Sequence, residues 1–581
     1  MFEPSRSPRV FALAPGVDFP RAVVQGLRTR FEGRPAEDLA RVTVLVNTRR
    51  MQRRMAELFD EGPGLLMPKI RLVTDLALDP TFADIPPAVS PLRRRLEIAQ
   101  IVGRLLETQP DLAPRSAIFS LADSLAGLLD EMQGEGVSLE ALENFDVSSH
   151  SAHWQRSLAF IRALEAYFSG DSPELPGTEA RQHQVVERLT AQWRERPPRD
   201  PIIIAGSTGS RGATRMLMEA VSRLPQGAVI LPGFDFDMPP EAWEQLAESP
   251  FAEDHPQYRF ARLFAELGAD PGITRPWTDA PPPSPRRNAL VSLALRPAPM
   301  TDQWQSEGPK FEKVSEALRD VTLIEAESPR LEATAIALVL REAAEQGVSA
   351  ALVTPDRVLA RRVTAALDRW HLVPDDSAGQ PLPLSPPGRL LRHVSEMSGR
   401  PVTAAALLAL LKHPLTNSGG ESRGEHLLHT RDLELGALRE NMPFPDRAGL
   451  LAWASDNADR QAWAEWVAKI VEQLDIPQTG TLSEHLERIV ALASQVVAGH
   501  TTGSAAPLWE KSAGQEALRI VEAIRRDAPH GGKITLSDFR DLFASVLNTG
   551  VVRNPVGTHP GIRIWGTLEA RVQGVELVVL G

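Results

Sequence analysis

The sequence contains no cysteine. That absence excludes disulfides, cysteine-ligated zinc, iron–sulfur clusters and cysteine nucleophiles within these residues. It agrees with a reducing compartment without establishing one. Lysine is nearly absent too: Lys69, Lys310, Lys313, Lys412, Lys469, Lys511 and Lys533 are the only seven among 63 basic residues. No long apolar run occurs. The longest uncharged helical stretch, Val402 to Leu411, falls far short of the ~20 residues needed to span a bilayer. The first residues do not read as a signal peptide, because Pro15 and Asp18 break the apolar run that follows them. An excess of positive charge is missing as well. The formal charge of −12 removes a whole-chain basic field for nucleic acid and leaves room only for a local patch. The expectation is a soluble, cytoplasmic protein without membrane contact.

What is present is length. At ~100–200 residues per domain, 581 residues predict three to five domains with ample core. The 49 prolines and 40 glycines are scattered, which excludes collagen and global disorder. The chain opens as strand–loop–helix: apolar Val10 to Ala14, the turn Pro15-Gly16, then a helix through Val23, Val24 and Leu27. Val42 to Val46 reads as a buried strand. In the helix after it, Met51, Met55 and Leu58 form one face and Arg49, Arg50, Arg53 and Arg54 the other. This order predicts a parallel α/β sheet.

From about Ser90 to Arg196 the pattern becomes helical, with stripes at Leu92, Leu96, Ala99 and Leu106, at Phe119, Leu121, Leu125 and Leu128, and over Trp154 to Phe168. Sheet character resumes at Pro201 to Ala205 and Ala228 to Leu231. A proline-rich stretch then reads as a linker. A second α/β unit is expected from Val321 (VTLIEA), with Ser328-Pro329 capping a helix that Gly347 stops. Strand Ala350 to Val353 and helix Arg357 to Trp370 follow. A second helical block runs from about Leu390 to Arg526, and strands return at Gly561 to Trp565 and Val575 to Leu580. A parallel strand is normally followed by a covering helix, so the sequence reads as cut short at Gly581.

A nucleotide-binding loop of the form GxxxxGK[ST] needs close-approach glycines, a lysine and a hydroxyl. Ala14 to Asp18 has no lysine. Gly206 to Thr214 has Arg211 at the second glycine position and Ala213 where the lysine should stand. Gly532-Lys533-Ile534 lacks the upstream glycine and the hydroxyl. The glycine-rich Gly206 to Thr214 is therefore either a tight strand-to-helix turn or a loop that contacts an anion or DNA. Thr48, Arg49, Arg50, Arg53 and Arg54 sit at the carboxyl edge of the expected sheet, where ligands bind. Thr48 and Arg49 could hold a backbone phosphate, and a solvated helix face is the bland alternative. The same bland reading is preferred for Arg93-Arg94-Arg95. His426 and His429 lack an acidic partner at a diagnostic offset and read as ordinary packing histidines. Asp375-Asp376 reads as loop acid. No G-x-S-x-G with triad spacing occurs.

Taken together, the ordered motifs resemble a known family. VTVLVNTRRMQRRM (42–55) resembles the strand and DNA-contacting segment that follows the phosphate loop in superfamily-one helicases. IIIAGSTGSRGAT (202–214), LPGFDFD (231–237) and HPQY (255–258) are similar to AddB, a subunit of the bacterial AddAB helicase–nuclease. LVTPDR (352–357), DDSAGQP (375–381), LLKHPL (410–415) and GTLEARVQGVELVVLG (566–581) follow in the same order. The resemblance spans essentially the whole chain. It implies two RecA-like parallel-sheet domains of the P-loop NTPase type, each interrupted by a mostly helical insertion. The first would span 1–85 and 197–280 with an insertion at 86–196. A linker would occupy 281–315. The second would span 316–390 and 531–581 with an insertion at 391–530.

The resemblance also implies function. In the most similar branch the helicase-like halves do not drive translocation, and the AddA partner supplies the ATP motor of a heterodimer. Its DNA partners would be double-strand ends and the unwound single strand, in recombinational repair. Carried over residue by residue, the DNA-binding set is Thr48, Arg49, Arg50 and Arg53; Gly206, Ser207 and Thr208; and Thr567, Glu569, Arg571 and Gln573. No catalytic, cofactor-binding or metal residue is expected in this chain. An exonuclease with an iron–sulfur cluster and magnesium would belong to a C-terminal region of a longer parent. The competing expectations are an active ATP-dependent helicase with an unorthodox phosphate loop, and an α/β scaffold that binds no nucleic acid.

Overall fold

The computed structural model describes residues 1–5, 7–61, 66–137, 175–249, 251–501, 503–553 and 557–581. The expected helix at Trp154 to Phe168 lies outside them. Apolar runs build the middle of the first sheet and more polar strands its edges: β1 (Val10–Ala12), β2 (Thr43–Val46), β3 (Lys69–Leu72), β4 (Ile202–Ala205), β5 (Gly227–Leu231) and β6 (Arg275–Pro276). They pair in the order β3-β2-β4-β5-β1-β6, and every pair is parallel. The period of two sends Val44, Val46, Ile203 and Ala205 to one face, against the helices Phe19–Phe31 and Arg49–Asp60. Leu45, Ile204 and Val229 go to the other, against Leu217, Val221, Phe260 and Phe264. Met51, Met55, Leu58 and Phe59 are buried as the helical spacing requires, each contributing about 1.5–3 kcal/mol.

The later strands are β7 (Ala350–Val353), β8 (Asp375–Asp376), β9 (Gln380–Pro381), β10 (Thr479–Thr481), β11 (Lys533–Thr535), β12 (Val551–Val552), β13 (Ile562–Trp565) and β14 (Leu577–Leu580). A second parallel sheet of four strands runs β14-β7-β13-β8. Its one face packs Leu352, Ile562 and Ile564 against Ile336, Leu340 and Val363 of two helices. The architecture is α/β, and the six-stranded parallel sheet is consistent with a RecA-like domain.

Two details depart from expectation. Val321 to Ala326 is not a strand; Val321, Leu323 and Ile324 are exposed and pair with nothing. An apolar β-branched run becomes a strand only where a neighbouring edge accepts its hydrogen bonds. The proline-rich stretch is not extended either. Pro285 stands in the first turn of the helix Pro285–Ala294, and the Arg287 guanidinium donates to the Ala317 carbonyl at 3.1 Å. Proline's fixed φ starts a helix as readily as it stiffens a linker.

A helix that follows the first strands also packs against the second helical block. Ser90 caps the helix Pro91–Thr108, and its hydroxyl donates to buried Asp527. Leu96 of that helix enters the core of the second helical block. Gln100 Nε2 donates to the Gly531 carbonyl at 2.7 Å.

Candidate functional site

Loops at the carboxyl ends of parallel strands share one edge. On the first sheet this edge carries Ala14–Asp18, Asn47-Thr48 and Gly206–Arg211. Thr48 caps the Arg49–Asp60 helix, and its hydroxyl accepts from the Met51 amide at 3.2 Å. Arg49 and Arg53 are exposed and Arg50 is half-buried. Asn47 Nδ2 donates to the Gly206 carbonyl at 3.0 Å, which fixes the two loops side by side. Gly206 has φ +81°, and a β-carbon there would stand 2.9 Å from Met51 Sδ, so only glycine fits. Ser207 is buried, with its hydroxyl accepting from the Gly209 amide at 3.2 Å; Thr208 is half-buried. Gln257 of the HPQY stretch bridges to the LPGFDFD stretch: its amide donates to the Gly233 carbonyl (2.9 Å) and accepts from the Asp235 amide (3.2 Å).

The matching edge of the second sheet carries Thr354–Arg357, Ser377 and Gly566–Gly574. Arg357 grips Asp376 with both terminal nitrogens, at 2.7 and 3.2 Å. The Ser377 hydroxyl accepts from the Gly566 amide at 3.3 Å. Thr567 and Arg571 are exposed; Glu569 and Gln573 are half-buried. Gln573 Nε2 is buried without a hydrogen-bond partner among the described residues. Val572 is inserted into the core against the first sheet, beside Phe19 and Val23.

The two edges meet. Arg50 Nη1 and Nη2 bind Asp375 Oδ2 and Oδ1 at 2.6 and 3.2 Å. Gly574 rests on Asp18, at the N-terminus of the Phe19–Phe31 helix. The expected DNA-binding set is thereby split. Thr48, Arg49 and Arg53 lie near the seam and Thr567 to Gln573 line it from the other side, while Gly206 and Ser207 are buried structural turn residues and Arg50 is engaged by a carboxylate. Asp375-Asp376 is not a loop but a two-residue strand, and each carboxylate is held by an arginine.

The remaining sequence candidates have structural roles. His426 is fully buried; Trp463 Nε1 donates to its Nδ1 at 3.0 Å, and its Nε2 donates to the Leu411 carbonyl at 2.7 Å. Burial lowers its pKa to about 4, so it stays neutral. Arg93-Arg94-Arg95 is not a solvated face. Arg94 is buried and donates to the Leu175 carbonyl, and Arg95 pairs with Asp123 at 2.6 Å. The chain offers no thiolate to an iron–sulfur cluster. Among the described residues no three His, Asp or Glu side chains are grouped to hold a metal ion, and no helix is long and apolar enough to cross a membrane. No family model and no curated protein matches the chain.

One residue escaped sequence reading. Arg563 of β13 is half-buried on the face of the second sheet opposite its own helices. Burial and the nearby guanidiniums of Arg54 and Arg50 lower its pKa. Strand alternation put it opposite Ile562 and Ile564, but nothing in the sequence said that the Arg49–Asp60 helix faces that side.

Proposed function

We propose that the chain is a non-motor, helicase-like DNA-handling subunit of the AddB type. It would act with an AddA-like motor in the cytoplasm on double-strand ends. The observation that supports this best is the filled helix N-terminus after β1. Nucleotide-driven motors of this fold place a phosphate chain there, on free amides and a positive dipole end. Here Asp18 caps the helix, with Oδ1 accepting from the Arg21 amide at 3.4 Å. Pro20 supplies no N–H, and Gly574 closes over the cap. A phosphate would meet a carboxylate and packed backbone.

The exposed Arg49, Arg53, Thr567 and Arg571, with half-buried Thr48, are the groups available to a sugar–phosphate chain along the seam. A local arginine lining reconciles DNA contact with an acidic body. The test is a pair of titrations on the isolated chain. Mg-ATP should give neither binding nor hydrolysis. A single strand or fork should bind with an affinity that falls as salt rises. Unwinding driven by ATP without a partner would replace this reading with that of an active helicase.

A further inference from the structure

We propose that Arg50, Arg54 and Arg563 form a phosphate seat between the two α/β domains, held shut in the unliganded chain by the Asp375 carboxylate. The arginines come from separate elements. Arg50 and Arg54 are one turn apart on the Arg49–Asp60 helix, and Arg563 lies on the middle of the second sheet. Arg563 and Asp375 are register partners on adjacent parallel strands, so their side chains leave the same face of the sheet. Asp375 takes Arg50 in a bidentate pair.

The Arg563 guanidinium is left with no hydrogen bond or ion pair among the described residues. Its charged neighbours are Arg54, Asp375, Arg50 and Glu57. Arg54 has only long contacts, 3.8 Å to Glu57 and 3.5 Å to Glu61. Three guanidiniums thus meet at a seam where one carboxylate crosses between the domains. A partly desolvated, unpaired guanidinium beside two others is unfavourable unless an anion joins them. The planar fork that binds a carboxylate in two-point fashion binds a phosphate the same way. The Arg50 and Asp375 side chains are 29% and 40% exposed, so water screens the pair and displacing it costs little. A phosphate entering the seat releases Asp375 and loosens the seam.

The phosphate could be that of a nucleic-acid backbone or of a free polyphosphate; only the first source rests on the DNA-handling reading. Two probes separate them: a (dT) oligonucleotide followed by anisotropy at several salt concentrations, and inorganic pyrophosphate by calorimetry and competition. Arg563→Gln should weaken the bound probe and, for the oligonucleotide, flatten the log–log salt dependence by about 0.7. Asp375→Asn should tighten it, by up to about fivefold for a partly exposed pair. A gain in affinity cannot come from misfolding, which protects the test. Pyrophosphate that responds to both variants while the oligonucleotide binds none keeps the seat and removes the DNA reading. Oligonucleotide binding that ignores both variants, with pyrophosphate inert, removes the seat and leaves the DNA reading standing. Silence of both probes removes both.

Discussion

Gly574 and Asp18 touch across the seam between the two sheets. A β-carbon on Gly574 would stand 2.7 Å from Asp18 Cβ and 2.8 Å from its Cα. Neither is the end of a flexible side chain, so relief requires the Phe19–Phe31 helix or the Gly566–Gly574 loop to move. Gly574→Ala should therefore destabilise the chain by about 1–3 kcal/mol, read as a lower thermal midpoint. Gly424→Ala is the control: nothing lies within 4 Å of its β-carbon, and alanine favours the helix by up to ~1 kcal/mol. Equal effects of the two would remove the seam contact as the cause.

Ser90 does two jobs with one hydroxyl. It accepts from the Arg93 amide at 3.0 Å as a helix cap and donates to Asp527 in the second helical block. Asp527 is nearly inaccessible, and its other partner is Arg526. Ser90→Ala should cost about 1 kcal/mol for the cap and a further ~1–3 kcal/mol for the weakened buried acceptor. Ser90→Gly removes the same hydroxyl but is a better cap than alanine. Urea unfolding should thus rank wild type, glycine, alanine.

Much of this fold is visible in the residues. Ile202 to Ala205 and Ala228 to Leu231 are uninterrupted apolar runs and Val42 to Val46 is broken only by Thr43, the composition that strands buried on both faces favour. Ser328-Pro329 and Gly347 mark their helix at both ends because caps are local chemistry. Val321 to Ala326 misled because pairing is not local. The site was legible in part for the same reason. Thr48 and the Arg49–Arg54 cluster announce themselves by position after a strand. Arg563 does not, because its significance depends on Arg50 and Arg54, more than 500 residues away in sequence.

Thr48 is placed to separate folding from contact. Its hydroxyl caps the helix that carries Arg49, Arg50, Arg53 and Arg54. Thr48→Ala should lower stability by about 1 kcal/mol, and Thr48→Ser should restore it. If the hydroxyl also meets a phosphate, Thr48→Ala will lose oligonucleotide affinity at a temperature where it remains fully folded. An affinity that tracks only the folded fraction confines Thr48 to capping.

Acid should loosen the second helical block through His426. Its folded pKa is about 4, lowered chiefly by burial, whereas an unfolded histidine titrates near 6.5. Between those values the unfolded chain binds the proton that the folded chain refuses, so stability rises with pH across this window. The contribution is complete above about pH 6.5 and is lost as pH falls toward 4, at most about 3 kcal/mol for this residue. His413, half-buried and also lowered to about 4, adds in the same sense. His426→Gln should lower stability at pH 7, because it abandons the contacts to Trp463 and Leu411, and should flatten the decline between pH 6.5 and 4. Urea midpoints at pH 7, 5.5 and 4.5 for both proteins decide it. Carboxylates titrating in the same range are common to the two, so the difference between their slopes isolates the imidazole, and parallel slopes would show that His426 is not what acid attacks.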